Sequence, residues 1–176
     1  MTNSARENNI QMIRCVTEDD YEKFSHFFFR NRKLFADEFK VSDALEVIYM
    51  MIRDTNILMY GYHQDKIIAA ISYAYGTPEN NFEDNQTIFI DCALLDKEFH
   101  SSRLFVELFK RTCNQILSEQ NEVSEVRFYA YRHHHYIYRL YNKFAKVVDE
   151  TEDQLGTKDV FSVELDTLTH YLNRFK

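Results

Sequence analysis

Apolar positions along this chain recur with two periods, and the switches between them divide it into strands and helices. Residues 12–16 read as a short strand. Thr17-Glu18-Asp19-Asp20 then has the form of a helix N-cap followed by first-turn acids. Tyr21, Phe24, Phe27 and Phe28 recur at spacings of three and four, predicting a helix that fades over residues 30–33. Residues 34–40 fit neither period. Ser42 is placed to cap a second helix over 43–53, with Leu45, Ile48, Tyr49 and Ile52 on one stripe. Asp54-Thr55-Asn56 stops it. Strands over 57–62 and 67–75 flank a hairpin turn at 63–66, and residues 76–86, with Pro78 and Asn80-Asn81, form the longest polar loop.

Thr87–Leu95 is almost continuously apolar, which suits a strand covered on both faces; Asp91 is the one charge in it. A turn over 97–102 leads to a helix over 103–119, with Leu104, Phe105, Leu108, Phe109, Cys113, Ile116 and Leu117 facing inward. A strand over 126–131 and a helix over 135–144 follow. The last strands are expected at 146–149 and 160–165, joined by the polar stretch 150–158 with Gly156 as a turn, and a terminal helical turn at 168–175. The order β-α-α-β-β-β-α-β-α-β-β predicts an α+β domain: a mixed sheet of six to seven strands flanked by helices.

Composition changes this picture in three places. Fifteen Phe and twelve Tyr imply a core or pocket built from rings. Tyr60, Tyr62, Tyr73, Tyr75, Tyr129 and Tyr131 alternate in pairs, so one face of the sheet is expected to be lined with phenols. With 3 Gly and 1 Pro, turns needing positive φ must be few or use Asn and Asp. The 176 residues are expected to form a flexible tail over 1–10 and a single domain over 11–176.

The net charge of −7 argues against a nucleic-acid binder. Cys15, Cys92 and Cys113 are odd in number and widely spaced, so reduced core thiols in a cytoplasmic protein are expected. No apolar run approaches a membrane span, and the first residues lack the apolar stretch of a secretory signal. His133-His134-His135 do not share a helix face, so no metal site is expected there.

The element order resembles the GNAT superfamily of acyl-CoA-dependent N-acyltransferases, from about Ile13 to Leu165. IRCVTEDDYEKF looks like that family's first strand and capped first helix. RLYNKFAKVV is similar to its late x-L-Y-x-K-x-G-F-x-x-x stretch, with Tyr141, Lys143, Ala145 and Lys146 at the tyrosine, lysine, glycine and phenylalanine positions. The stretch 87–120 stands in place of its fourth strand and pyrophosphate loop. That loop is usually Q/R-x-x-G-x-G/A; here His100, Ser101, Ser102, Arg103, Leu104 and Phe105 stand there, and neither glycine is present.

The resemblance implies transfer of an acyl group, acetyl from acetyl-CoA, to a primary amine by direct attack. The backbone around Leu94 and Leu95 would hold the pantetheine arm and thioester carbonyl, and residues 100–105 the phosphates. His134 would take the place of an Asn that touches the pantetheine arm. Tyr141 would protonate the leaving thiolate, with Tyr138 as its substitute one turn earlier; the other reading of Tyr141 is a core ring. Asp91 is the first choice of general base, because a carboxylate in an apolar run has a raised pKa. Glu38, His63 and Tyr73 stand behind it, and Asp91 could equally face outward or pair with an arginine. Arg132, Arg139, Lys143, Lys146, Lys97, Arg103, Lys110 and Arg111 either form a basic region for CoA phosphates or are solvated helix faces. A small-molecule or peptide amine is the implied partner, with no nucleic acid and no membrane, and a homodimer is open to it. Two other readings stand beside transfer: a catalytically inactive ligand-sensing or protein-interaction module on the same fold, and a different acyl donor held by Arg103.

Overall fold

The computed structural model describes residues 10–35, 37–54, 56–100 and 103–175. The expected tail over residues 1–9, and Ser101 and Ser102 of the expected phosphate loop, lie outside them. Among the described residues the strands are β1 (Gln11–Arg14), β2 (Ile57–His63), β3 (Lys66–Tyr75), β4 (Thr87–Leu95), β5 (Glu125–Tyr131), β6 (Lys146–Asp153) and β7 (Gly156–Glu164). They form one sheet in the order β1-β2-β3-β4-β5-β7-β6, antiparallel throughout except for the parallel pair β4–β5. The helices are α1 (Glu18–Asn31), α2 (Val41–Arg53), α3 (Leu104–Glu119), α4 (His135–Tyr141) and α5 (Leu165–Leu172). This is the expected α+β architecture.

Two apolar cores sit on opposite faces of the sheet. One packs Phe109, Cys113 and Ile116 of α3 and Leu168 and Leu172 of α5 against Ile88, Ile90 and Phe128. The other packs Phe24 and Phe28 of α1 and Ile48 and Met51 of α2 against Leu58, Tyr60, Cys92 and Leu94. Thr17 caps α1 as expected: its hydroxyl accepts from Asp20 N, and the Asp20 carboxylate accepts from Thr17 N at 3.0 Å. Such a cap is worth about 1 kcal/mol, whereas burying a Phe contributes roughly 1.5–3 kcal/mol. Packing of Phe24 and Phe28 therefore decides where α1 lies, and the cap decides where it starts.

Several expectations are corrected. Ser42 does not cap α2. The helix starts at Val41, and the Asp43 carboxylate accepts from Lys40 N at 2.8 Å. Of the expected stripe Ile48 faces the core, together with Ala44 and Met51, while Leu45, Tyr49 and Ile52 are exposed. Residues 150–158 are not a linker but the turn end of a long β6–β7 hairpin, whose outer strand is exposed along its whole length. The phenols do not share a face. Tyr60 reaches Asp20 of α1 and Tyr131 packs on Phe35, whereas Tyr75 reaches Glu119 of α3 and Tyr73 lies in the α3–α5 core. Ile10, the last residue of the expected tail, is buried against the sheet. The left-handed turn positions fall on Gln64, Asp65, Asn81 and Phe82 as well as on glycine.

Candidate functional site

β4 changes partners half-way along. Thr87 to Ile90 pair with Glu125 to Phe128 of β5, and beyond Ile90 that pairing stops. On its other side β4 stays paired with β3 to Leu95, but with a bulge: Ser72 opposes Cys92 and Tyr73 opposes Ile90, so Asp91 is the extra residue. The bulge bends the strand away from β5 and re-aims the Asp91 side chain. The two parallel strands therefore splay at their carboxyl ends, where ligand sites form in open sheets of this kind.

A cavity of about 690 Å³ fills the splay. It is lined by Asp91, Cys92 and Leu94 of β4, Tyr129 and Tyr131 of β5, Val47 and Met51 of α2, and Tyr141 of α4. The loop after β3 contributes Pro78 and Phe82. That loop is held by Asp84, which accepts from Thr77 N at 2.7 Å and from the Thr77 hydroxyl at 2.9 Å. Gly76 permits the fold-back, since a Cβ there would meet Phe82 Cα at 2.5 Å.

Asp91 lies in this cavity and has no arginine partner. Its Oδ2 accepts from Asn56 Nδ2 at 2.8 Å, and the same amide reaches the Ser72 hydroxyl at 3.2 Å. Its Oδ1 is buried and makes no hydrogen bond. Burial raises its pKa to about 6, against the opposing effect of Ser72, Asn56 and nearby backbone. Of the other candidate bases none lines the cavity: Glu38 is exposed, His63 is buried at the β2–β3 hairpin against Phe99, and Tyr73 is fully buried in the opposite core.

Tyr141 is 4% exposed, its ring set edge-on against Phe128, Phe144 and Phe161. Burial pushes its phenol well above the usual range, so it carries its proton at neutral pH. Its position is set by a clamp the sequence reading missed. Asp159 of β7 accepts from Arg132 Nε at 3.0 Å, from Arg132 Nη2 at 2.7 Å and from the Tyr138 hydroxyl at 2.6 Å. Arg132 begins the β5–α4 loop and Tyr138 lies on α4, so Asp159 fixes both ends of the segment carrying His134. Tyr138 is thereby committed to a structural bond and is not a spare acid. Arg132, bound also to Glu150, leaves the expected basic region, and Arg111 pairs with Glu107.

The remaining candidates divide. His134 lines the cavity and caps α4, its Nδ1 accepting from Ile137 N at 3.4 Å; burial lowers its pKa. Leu94 lines the cavity. Leu95 ends β4 and its carbonyl meets His100 Nε2 at 2.9 Å. The His100 ring lies flat on Tyr136 with centroids 4.5 Å apart, joining the end of β4 to the start of α4. Arg103 is exposed at the N-cap of α3 and makes no side-chain capping bond. The Leu104 and Phe105 side chains pack, partly buried, beside Leu108, and Phe105 lies against Phe109. Their backbone N–H groups stand in the first turn of α3, where an anion can be met.

The same architecture occurs in known acetyltransferases. A putative acetyltransferase of the GNAT family from Desulfovibrio desulfuricans superposes with a TM-score of 0.66 over 89% of this chain and 99% of its own, at 13% identity. The chain has the GNAT fold. The aminoglycoside acetyltransferase AAC(6′)-Ib in complex with coenzyme A and kanamycin shares it, with a TM-score of 0.68 over 92% of this chain and 98% of its own, at 12% identity. So does ribosomal-protein-S5-alanine acetyltransferase from Vibrio fischeri, with a TM-score of 0.63 over 89% and 93% of the two chains, at 14% identity. No protein-family model matches the sequence, and no curated protein matches it. The pairing of β4 with β5 ends at Ile90, Arg103 stands at the N-cap of α3, and Phe105 lies in its first turn. Among the described residues no helix is long and apolar enough to cross a membrane.

Proposed function

We propose that this protein is a cytoplasmic N-acyltransferase that moves an acetyl group from acetyl-CoA to a primary amine. The observation that carries this reading is one cavity, at the splay of β4 and β5, bounded by an unsatisfied carboxylate and by a protonated phenol. Asp91 is the proposed general base. With its pKa raised to about 6 it is ionised at neutral pH yet more basic than an ordinary carboxylate. It takes a proton from the ammonium of the acceptor. The free amine attacks the thioester carbon, and a C–N bond forms. Backbone N–H groups of the unpaired β4 edge, around Cys92–Leu95, would stabilise the oxyanion. The C–S bond then breaks, the Tyr141 hydroxyl protonates the sulfur, and the phenolate recovers a proton from the new amide nitrogen. Leu94, Leu95 and His134 would lie along the pantetheine arm. His100, Ser101, Ser102, Arg103 and the first N–H groups of α3 would meet the phosphates.

A second reading, a catalytically silent ligand-binding module, is favoured by one feature: the Leu95 carbonyl at the mouth of the splay is already taken by His100. Thermal unfolding with acetyl-CoA separates the two. A ligand at 100 times its Kd adds about 2.7 kcal/mol of stability; no shift at millimolar acetyl-CoA removes the acyl-CoA reading. Arg103→Ala is expected to weaken that shift. An unchanged shift would take Arg103 out of the phosphate site.

A further inference from the structure

The cavity carries a pattern of charge that acetyl transfer alone does not require. Asp43 and Glu46 of α2, Asp54 at its C-cap, Asp91 of β4 and Asp153 of β6 all line it. Asp43 caps its helix, Asp54 holds Arg53, and Asp153 holds Lys158, but Glu46 has no partner among the described residues. Burial first, and then the nearby charges of Glu79, Asp91, Asp149 and Asp153, push the Tyr129 phenol up to about 12. The walls between these acids are aromatic, from Phe35, Phe39, Phe82, Phe89, Tyr129 and Tyr131.

One ammonium already occupies this wall. Lys158 Nζ lies 4.7 Å from the Tyr129 ring centroid, 5.6 Å from that of Tyr131, and 2.8 Å from Asp153. Ring faces beside a carboxylate are a favourable seat for a cation. Independently, the buried Asp91 Oδ1 lacks a donor, and an N–H of a bound amine would supply one.

We infer that the acceptor is an oligoamine: a chain with at least two ammonium groups, one delivered to Asp91 and another held at the mouth by Glu46 and its neighbours. This rests on the acyltransferase reading for the chemistry but not for the binding. A buried acid at the reacting end and a second set of acids at the mouth reward two separated positive charges. The same field repels acceptors that carry a carboxylate or phosphate, so free amino acids and nucleotide amines are disfavoured.

The test is calorimetric titration of the full chain with spermidine and, separately, with propylamine, at low salt and without acetyl-CoA. Spermidine is expected to bind about five-fold tighter, the scale of one further exposed ammonium contact. Equal affinities, or no spermidine binding, overturn the proposal. Glu46→Gln, an exposed helix substitution that leaves the core untouched, is expected to weaken spermidine about five-fold and leave propylamine unchanged. An equal effect on both amines overturns the role of the mouth. Acetyl-CoA is titrated in parallel. Spermidine binding with acetyl-CoA inert sustains the oligoamine site and removes acyl transfer. Acetyl-CoA binding with spermidine inert does the reverse.

Discussion

Two acids in the same sheet, Asp159 and Asp91, show how one fold treats a buried carboxylate in opposite ways. Asp159 is 1% exposed and fully engaged, by two nitrogens of Arg132 and by Tyr138. Its pKa is lowered, first by Arg132. Among the described residues Asp91 has a single side-chain amide on one oxygen and no partner on the other, and burial raises its pKa. The first arrangement joins β7 to the β5–α4 loop and to α4. The second stores an unfavourable charge in a cavity, which a fold retains only where something else is gained by it. The clamp anchors the helix that carries Tyr141, and Asp91 and Tyr141 line the same cavity.

The largest expected effect separates chemistry from stability. Asp91→Asn should lower acetyl transfer by roughly 10²–10⁴-fold, the range for loss of a general base. Its stability should not fall. A carboxyl whose pKa rises on folding binds more protons in the native state between pH 3.8 and about 6, so wild-type stability drops as pH rises through that window. Asn removes that penalty. Thermal unfolding should show the variant at least as stable as wild type at pH 7.5, and the advantage should vanish near pH 3.5. A variant destabilised at both pH values would make Asp91 a structural acid like Asp159.

Next in size, Tyr141→Phe should reduce kcat about 10²-fold, at the low end for a proton donor, while the acetyl-CoA thermal shift persists. Unchanged turnover would remove Tyr141 as the acid. The clamp is tested in the opposite direction. Asp159→Ala strands the Tyr138 hydroxyl and loosens Arg132, and should cost about 3 kcal/mol, roughly 6–12 °C in Tm for a chain of this length. Wild-type stability from this group is present above pH 3.8 and lost as pH falls through its lowered native pKa. A Tm unchanged by the substitution would mean the clamp contributes nothing. The smallest effect belongs to Tyr73, fully buried near Glu119, with no partner at hydrogen-bond distance for its hydroxyl among the described residues. Tyr73→Phe should leave stability unchanged or raise it by about 1 kcal/mol; a clear loss on denaturant unfolding would reveal a bond to Tyr73.

Asp91 was legible because it interrupts an apolar run, a signal that survives without any tertiary knowledge. β4, α3 and the capped start of α1 were legible for similar local reasons: continuous burial, one apolar face, and Thr17 three residues before Asp20. The clamp was not, because Arg132 and Asp159 lie 27 positions apart and nothing local couples them. The buried face of α2 was ambiguous in principle. Leu45, Tyr49 and Ile52 have helical spacing as good as that of Ala44, Ile48 and Met51, and packing against the sheet chose the second set. The first half of β6 was legible at 146–149, but its continuation to Asp153 was not, because an edge strand exposed on both faces need not alternate. The tyrosines were assigned to one face because the pairing register, which sets Tyr60 opposite Ala70 and Tyr73 opposite Ile57, cannot be read from either strand alone.

The contrast between the two acids comes down to the pH dependence of acetyl transfer to spermidine by wild type and Asp91→Asn. Wild-type kcat/KM should rise through about pH 6 as Asp91 ionises, and that limb should be absent from the residual activity of the variant. The same limb persisting in Asp91→Asn, or no transfer by wild type at any pH, would contradict a catalytic carboxylate at the splay of β4 and β5.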